Sequence, residues 1–219
     1  MLILENKPKS VASEYYRILR TNLQYTSIDN PIKTILITSS EAGDGKSTTS
    51  SNLALSFADA DKKTLLIDCD LRKPKIHKIF GISNLTGLSD FLIDEKKEVK
   101  NFIYEHQSGL NIMTSGSIPP NPAEILSSKR LETLLEDFKK IYDYIILDTP
   151  PVNFVADSKI LSTKVDGTLI VIRHGKSKKD GVLEAIRNLK EVNANILGTV
   201  LNGESKKSAG YKSYYKEQK

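Results

Sequence analysis

The stretch Thr34–Thr48, TILITSSEAGDGKST, constrains the fold of this chain more than any other. Its β-branched apolar run, Ile35 to Thr38, stops at two small polar residues, Ser39 and Ser40. Gly43 and Gly45 follow, then Lys46, Ser47 and Thr48, and a helix-prone run opens near Thr49. Strand, glycine loop and helix in that order make a phosphate-binding loop. Glycines let backbone N–H groups close on phosphate without a Cβ in the way, and the helix N-terminus adds partial positive charge. The pattern assigns Ala42, Gly43, Asp44, Gly45, Lys46, Ser47 and Thr48 to nucleotide binding. Lys46 would reach the β/γ oxygens and the Ser47 hydroxyl would meet Mg²⁺. The loop departs from G-x-x-x-x-G-K-[ST], whose first glycine falls here at Ser40.

Two further apolar strands end on carboxylates. Leu65–Ile67 runs into Asp68-Cys69-Asp70-Leu71-Arg72-Lys73-Pro74, and Tyr144–Leu147 runs into Asp148-Thr149-Pro150-Pro151. Aspartates at i and i+2 leaving a strand point the same way, and beside Mg·ATP they can supply a metal ligand and a proton acceptor. Surface capping would explain them without chemistry. Ligands of open α/β sheets, however, bind outside the carboxyl ends of the strands. Asp148, at a strand end downstream of the phosphate loop, reads as a second Mg²⁺ anchor.

The rest of the chain alternates in the same way. Helical spacing covers Ser10–Gln24, Thr49–Ala60, Ser127–Ile141, Val155–Thr163 and Lys179–Val192, and buried-strand runs cover Gly167–Ile172 and Ile196–Leu201. Leu110–Met113 reads as a short strand, and GSIPPNPAEIL as a rigid loop before a helix near Pro122. Residues 75–110 otherwise read as short helices and loops without chemistry. This pattern predicts an α/β fold, a mostly parallel sheet with helices on both faces. Its expected extent is residues 1–203, with 204–219 a separate tail.

Composition narrows the class. The apolar runs are far shorter than the roughly 20 residues that span a bilayer, and MLILENKPKS is charged too soon for a signal peptide. The single cysteine, Cys69, excludes an internal disulfide and fits a reducing compartment. His77, His106 and His174 fall in no metal-ligand spacing and read as surface or loop residues. Much of the net charge of +5 sits in the tail ESKKSAGYKSYYKEQK, which has too little apolar surface to fold alone. Its lysines interleaved with tyrosines also suit a nucleic acid or an anionic membrane. In the N-terminal helix Glu14, Arg17 and Arg20 share one polar side; spacing alone favours an intrahelical Glu–Arg pair over an intersubunit contact.

Together these motifs resemble the bacterial tyrosine kinases of the capsule and exopolysaccharide type, in the form whose catalytic domain is a separate chain. The resemblance rests on SSEAGDGKST, LLIDCDLRKP, IILDTPP, GSIPPNPAEIL, the E-x-x-R-x-x-R of Glu14, Arg17 and Arg20, and the terminal tyrosines. It implies a P-loop NTPase fold of the MinD/ParA kind, with ATP and Mg²⁺ as cofactors. It makes Lys46, Asp68, Asp70 and Asp148 catalytic. Ser47, Asp70 and Asp148 would hold the metal, and Asp68, with Asp70 as the alternative, would face the tyrosine. It turns the N-terminal helix into a ring-forming contact and makes Tyr211, Tyr214 and Tyr215 autophosphorylation sites, used in trans. By analogy with related ATPases, Asn202 would contact the adenine edge. The implied partners are a transmembrane adaptor, a tyrosine phosphatase and polysaccharide biosynthesis enzymes as substrates, with no nucleic acid. The implied location is the cytoplasmic face of the membrane, reached through the adaptor. The tail departs from the family pattern, with three tyrosines and one adjacent glycine where the family often has more, while Glu41, where MinD/ParA loops carry a signature lysine, separates the chain from those ATPases. A MinD/ParA-like nucleotide switch is the competing reading, although MinD proteins end in an amphipathic membrane helix that YKSYYKEQK does not form.

Overall fold

A computed structural model describes residues 2–26, 31–94 and 98–203. The tyrosines Tyr211, Tyr214 and Tyr215 lie outside the described residues. Seven strands form one sheet: β1 (Thr34–Ser39), β2 (Thr64–Asp68), β3 (Tyr104–Glu105), β4 (Asn111–Met113), β5 (Tyr144–Asp148), β6 (Gly167–Arg173) and β7 (Ile196–Asn202). Their order is β3-β4-β2-β5-β1-β6-β7, and every pairing is parallel except β3 with β4. All six residues of β1 are buried, as a central parallel strand covered on both faces requires.

The alternation within β1 sorts its side chains between two layers. Ile35 and Ile37 pack with Leu53, Leu55 and Phe57 of α3 (Lys46–Ala58) and with Leu23 of α2 (Val11–Tyr25). Leu36 packs on the opposite face with Leu131, Leu134, Leu135 and Phe138 of α7 (Lys129–Ile141). α3 is buried along nearly its whole length, which fixes the phosphate loop that precedes it against the sheet. Of the remaining helices, α1 (Ile3–Asn6), α4 (Ile76–Phe80), α5 (Leu88–Ile93), α6 (Pro122–Ser127) and α8 (Asp157–Ser162) are short, and α9 (Lys179–Lys190) covers β6 through Ala185 and Leu189.

Several boundaries differ from the sequence reading. α3 starts at Lys46, not near Thr49, because the last loop residues are already its first turn. α8 is shorter than the expected Val155–Thr163. The four-residue α1 and the two-residue β3 carry no periodicity to read. α1 forms because Asn52 Oδ1 accepts the amides of Ile3 and Leu4 at 2.6 and 3.2 Å, capping its first turn from another helix. His106 follows β3 in a loop, yet its side chain is only 10% exposed, 3.4 Å from Glu5 and edge-on to Phe80.

Candidate nucleotide and phosphoryl-transfer site

The carboxyl ends of β1, β2 and β5 bring the sequence motifs together. Asp68 and Asp148 are partners in the β2–β5 register, and the phosphate loop leaves the adjacent β1. Gly43 and Gly45 have φ of +83° and +99°, values that tolerate glycine best. A Cβ on Gly45 would also sit 1.8 Å from Asn202 Nδ2. The α3 ladder begins with Thr49 N donating to Gly45 O at 2.9 Å, so the amides of Lys46, Ser47 and Thr48 precede it as free helix-start donors do. Asp44 is buried, and its carboxylate accepts the Glu41 amide at 3.1 Å inside the loop.

Three side chains, from the ends of β6 and β7 and the turn after β6, hold the loop from outside. Lys176 Nζ donates to Ala42 O at 2.7 Å, Arg173 Nη1 to Gly43 O at 2.8 Å and Asn202 Nδ2 to Asp44 O at 3.0 Å. The family analogy puts Asn202 at the adenine edge of the nucleotide, whereas nothing in the motifs points to Arg173 or Lys176. Their only sequence signal is a basic Arg-His-Gly-Lys turn directly after an apolar strand.

Lys46 is 8% exposed. Burial pushes its ammonium pKa down, and the charges of Asp148 and Asp70 oppose that shift. Asp148 is fully buried, which raises its carboxyl to about 6 even though the Ser47 hydroxyl, Lys46 and Ser50 favour the ionised form. Its Oδ1 accepts from Ser50 Oγ at 2.9 Å, while the buried Oδ2 has no hydrogen-bond partner of ordinary geometry. A buried carboxylate oxygen left open beside a lysine and a serine hydroxyl fits a Mg²⁺ ion or its water. Among the described residues no cluster of three His, Cys, Asp or Glu could hold a metal alone. That fits Mg²⁺, which is commonly held by one or two carboxylates with the remaining shell from phosphates and water.

Asp68 is also fully buried, and both of its oxygens are engaged. Oδ1 accepts the Asp70 amide at 3.2 Å, and Oδ2 accepts the amides of Lys75 and Ile76, each at 3.0 Å. Burial and the nearby Asp148 still push its carboxyl well above the ordinary range. Asp70 is half-buried and turns back to accept the Lys73 amide at 2.9 Å. Cys69, between them, is a buried free thiol with its pKa raised by burial. The turn that follows is tied to α8 by Arg72, which grips Asp157 through two hydrogen bonds of 2.8 and 3.0 Å.

The N-terminal residues lie apart from this site, on α2. Arg17 pairs with Glu14 at 3.2 Å within the helix, and Arg20 donates to the Ser56 carbonyl of α3. Val11, Tyr15 and Ile18 are exposed on the same helix.

Comparison with known proteins places the chain. An AAA domain family model matches residues 32–201. The tyrosine-protein kinase YwqD of Bacillus subtilis is 41% identical over 214 residues, covering 98% of this chain and 90% of YwqD. The kinase domain of the Escherichia coli tyrosine kinase Etk superposes with a TM-score of 0.90 at 34% identity, covering 95% of this chain and 82% of that domain. The chimeric protein CapA2B2 gives 0.87 at 37% identity, covering 91% of this chain and 88% of the chimera. MinD of Pyrococcus horikoshii, solved with Mg-ADP, shares only the fold, with a TM-score of 0.66 at 22% identity over 80% of this chain and 72% of MinD. The deviant glycine loop, the paired strand-end aspartates and these relatives agree, and the chain belongs to the bacterial tyrosine-protein kinases of the capsule and exopolysaccharide type, built on the P-loop NTPase fold.

Proposed function

We propose that this chain transfers the γ-phosphoryl group of Mg·ATP to Tyr211, Tyr214 and Tyr215 of a neighbouring copy within a ring-like oligomer, and in doing so regulates polysaccharide synthesis and export. The observation that supports it is the convergence of Lys46, Asp68, Asp70 and Asp148 at the carboxyl ends of adjacent parallel strands. Lys46 and the loop amides hold the β- and γ-phosphates. Ser47, Asp70 and Asp148 would hold Mg²⁺, which would supply neutralisation of the charge developing on the transferred group. Asp68 orients the tyrosine hydroxyl and takes its proton as the new O–P bond forms and ADP leaves. Free tyrosine has a pKa near 10, so an Asp68 carboxyl raised by burial is a better match than an ordinary one. Asp70 supports a second reading, because it is half-exposed whereas Asp68 is enclosed by three amides.

Attachment to the membrane face through a transmembrane adaptor belongs to the same proposal. Among the described residues no helix is long and apolar enough to cross a membrane. A cognate phosphatase would reset the tyrosines, and biosynthetic enzymes would be further substrates.

β7 ends at Asn202, against the phosphate loop, so the tail departs from the same end of the sheet as the site. Tyr211 follows Gly203 by eight residues, a contour of at most about 28 Å. Reach therefore leaves transfer within one chain open, and a mixing experiment decides it. A chain with Tyr211, Tyr214 and Tyr215 changed to Phe is combined with a Lys46→Met chain and labelled ATP. Phosphotyrosine on the Lys46→Met tail is expected. Its absence under conditions where wild type is labelled and the two chains co-assemble would rule out transfer between subunits.

A further inference from the structure

Beyond Asp70 the surface opens into a groove of about 760 Å³ whose wall carries Arg72, Lys73, Lys75 and Lys78, with Pro74, Ile79 and Ile118 as its apolar part. The groove begins where the reaction site ends. The Lys73 amide is hydrogen-bonded to Asp70, and the Lys75 amide to Asp68. Arg72 is committed to Asp157, but among the described residues no carboxylate pairs with Lys73, Lys75 or Lys78. Each of these three lysines is exposed, and Ile118 beside them is 65% exposed. The chain's own tail does not complement this wall: it holds Lys206, Lys207, Lys212, Lys216 and Lys219 against Glu204 and Glu217. An unmodified tail is repelled where an acidic segment would be held.

We propose that this groove docks the acidic flank of a tyrosine-bearing protein substrate other than the chain's own tail, an inference that rests on the kinase reading above. Concave walls with an apolar strip suit an extended peptide that places an apolar side chain on Ile118 and carboxylates on the lysines. A bilayer would meet only the rim. A single-stranded nucleic acid would want aromatic platforms for its bases, and His77 is the only aromatic ring in the lining.

The test uses the full chain and two peptides sharing one tyrosine core, one flanked by glutamates and one by lysines. Labelling of the native tail is followed in the same reactions. Two or three surface ion pairs predict that kcat/KM favours the acidic peptide by about tenfold at low salt, and less as salt rises. In the Lys73→Glu/Lys78→Glu variant the preference should vanish or reverse while the tail is still labelled. Should that variant fail to fold by circular dichroism, Lys73→Gln/Lys78→Gln is used, with the preference expected to fall to about twofold. Equal use of the two peptides by wild type, or a preference unchanged in the folded variant, overturns the groove's role while leaving the kinase reading intact. An unlabelled wild-type tail with neither peptide labelled overturns the kinase reading, and the groove's role with it.

Discussion

Arg72→Ala tests whether the turn after Asp70 is held by its tie to α8. Arg72 Nε and Nη2 donate to Asp157 at 2.8 and 3.0 Å, and the Asp157 side chain is 0% exposed while that of Arg72 is 40% exposed. This difference in exposure makes the two truncations unequal. Removing Arg72 strands a buried carboxylate, a loss of about 3–5 kcal/mol for a fully buried pair. Solvent around the guanidinium and the α8 N-terminus beside Asp157 reduce that to about 2 kcal/mol. Removing Asp157 frees an arginine that can turn into water, at a cost of about 0.5–1 kcal/mol. For a chain of this length Arg72→Ala should lower Tm by about 4–8 °C. The measurement is a double-mutant cycle by thermal and urea unfolding. The double variant, Arg72→Ala with Asp157→Ala, should be more stable than Arg72→Ala alone, since no charge is left buried. Because the pair tethers the turn bearing Asp70 and not the phosphate loop, tyrosine transfer should fall more than ATP affinity. Equal costs for the two single variants, or a double variant no better than Arg72→Ala, would refute the argument.

Three other outcomes follow from the geometry. The Asp148 carboxyl is raised from 3.8 to about 6, so in this window the folded protein binds more protons than the unfolded one. Stability of the nucleotide-free protein should thus fall as pH rises from 4 to 6, with Asp68 acting in the same direction and Asp148→Asn flattening the curve; urea midpoints that rise over this range in wild type would contradict it. With Asp148 as the proposed Mg²⁺ ligand, Mg·ATP would need the ionised carboxylate, so its affinity by calorimetry should increase over the same range. Gly45→Ala meets both a φ of +99° and the Asn202 amide, and should weaken ATP binding at least tenfold, about 1.4 kcal/mol; adding Asn202→Ala relieves the clash but also removes the tie to Asp44 O, so partial recovery measured against Asn202→Ala alone would separate the two causes. Arg17→Ala touches only Glu14 and the Pro8 carbonyl, so it should change protomer stability by less than about 0.5 kcal/mol yet disperse the oligomer, whereas Arg20→Ala also loses its Ser56 contact and should destabilise the protomer; light scattering that shows an unchanged oligomer for Arg17→Ala refutes the intersubunit role.

The parts of the molecule legible in the sequence are those whose cause is local. The TILITS strand, the glycines at positive φ and the apolar strands ending on Asp68 and Asp148 each carry their reason within a few residues. The parts that escaped depend on partners far away in the chain. α1 exists because Asn52, 48 or 49 residues later, caps it, and His106 is enclosed because Glu5 and Phe80 come to it. The grip of Lys176, Arg173 and Asn202 on three consecutive loop carbonyls spans 130 or more residues, and no spacing rule could display it. The same contacts alter the argument about the tail. A sequence can show that a tyrosine segment follows the last strand, but only the sheet order places that strand's end against the phosphate loop. With its root beside the site, the tail needs no neighbour merely to come within range. Under the proposed transfer between subunits, orientation and not reach would decide which chain's tyrosine meets Asp68. The 70–76 turn carries Lys73 and Lys75, and α4 carries Lys78; in the docking role proposed for them, their charge would disfavour a basic tail from its own chain or another. The proposed assembly through α2 would overcome this by raising the local concentration of tails, so charge would select foreign substrates while proximity would select the tail.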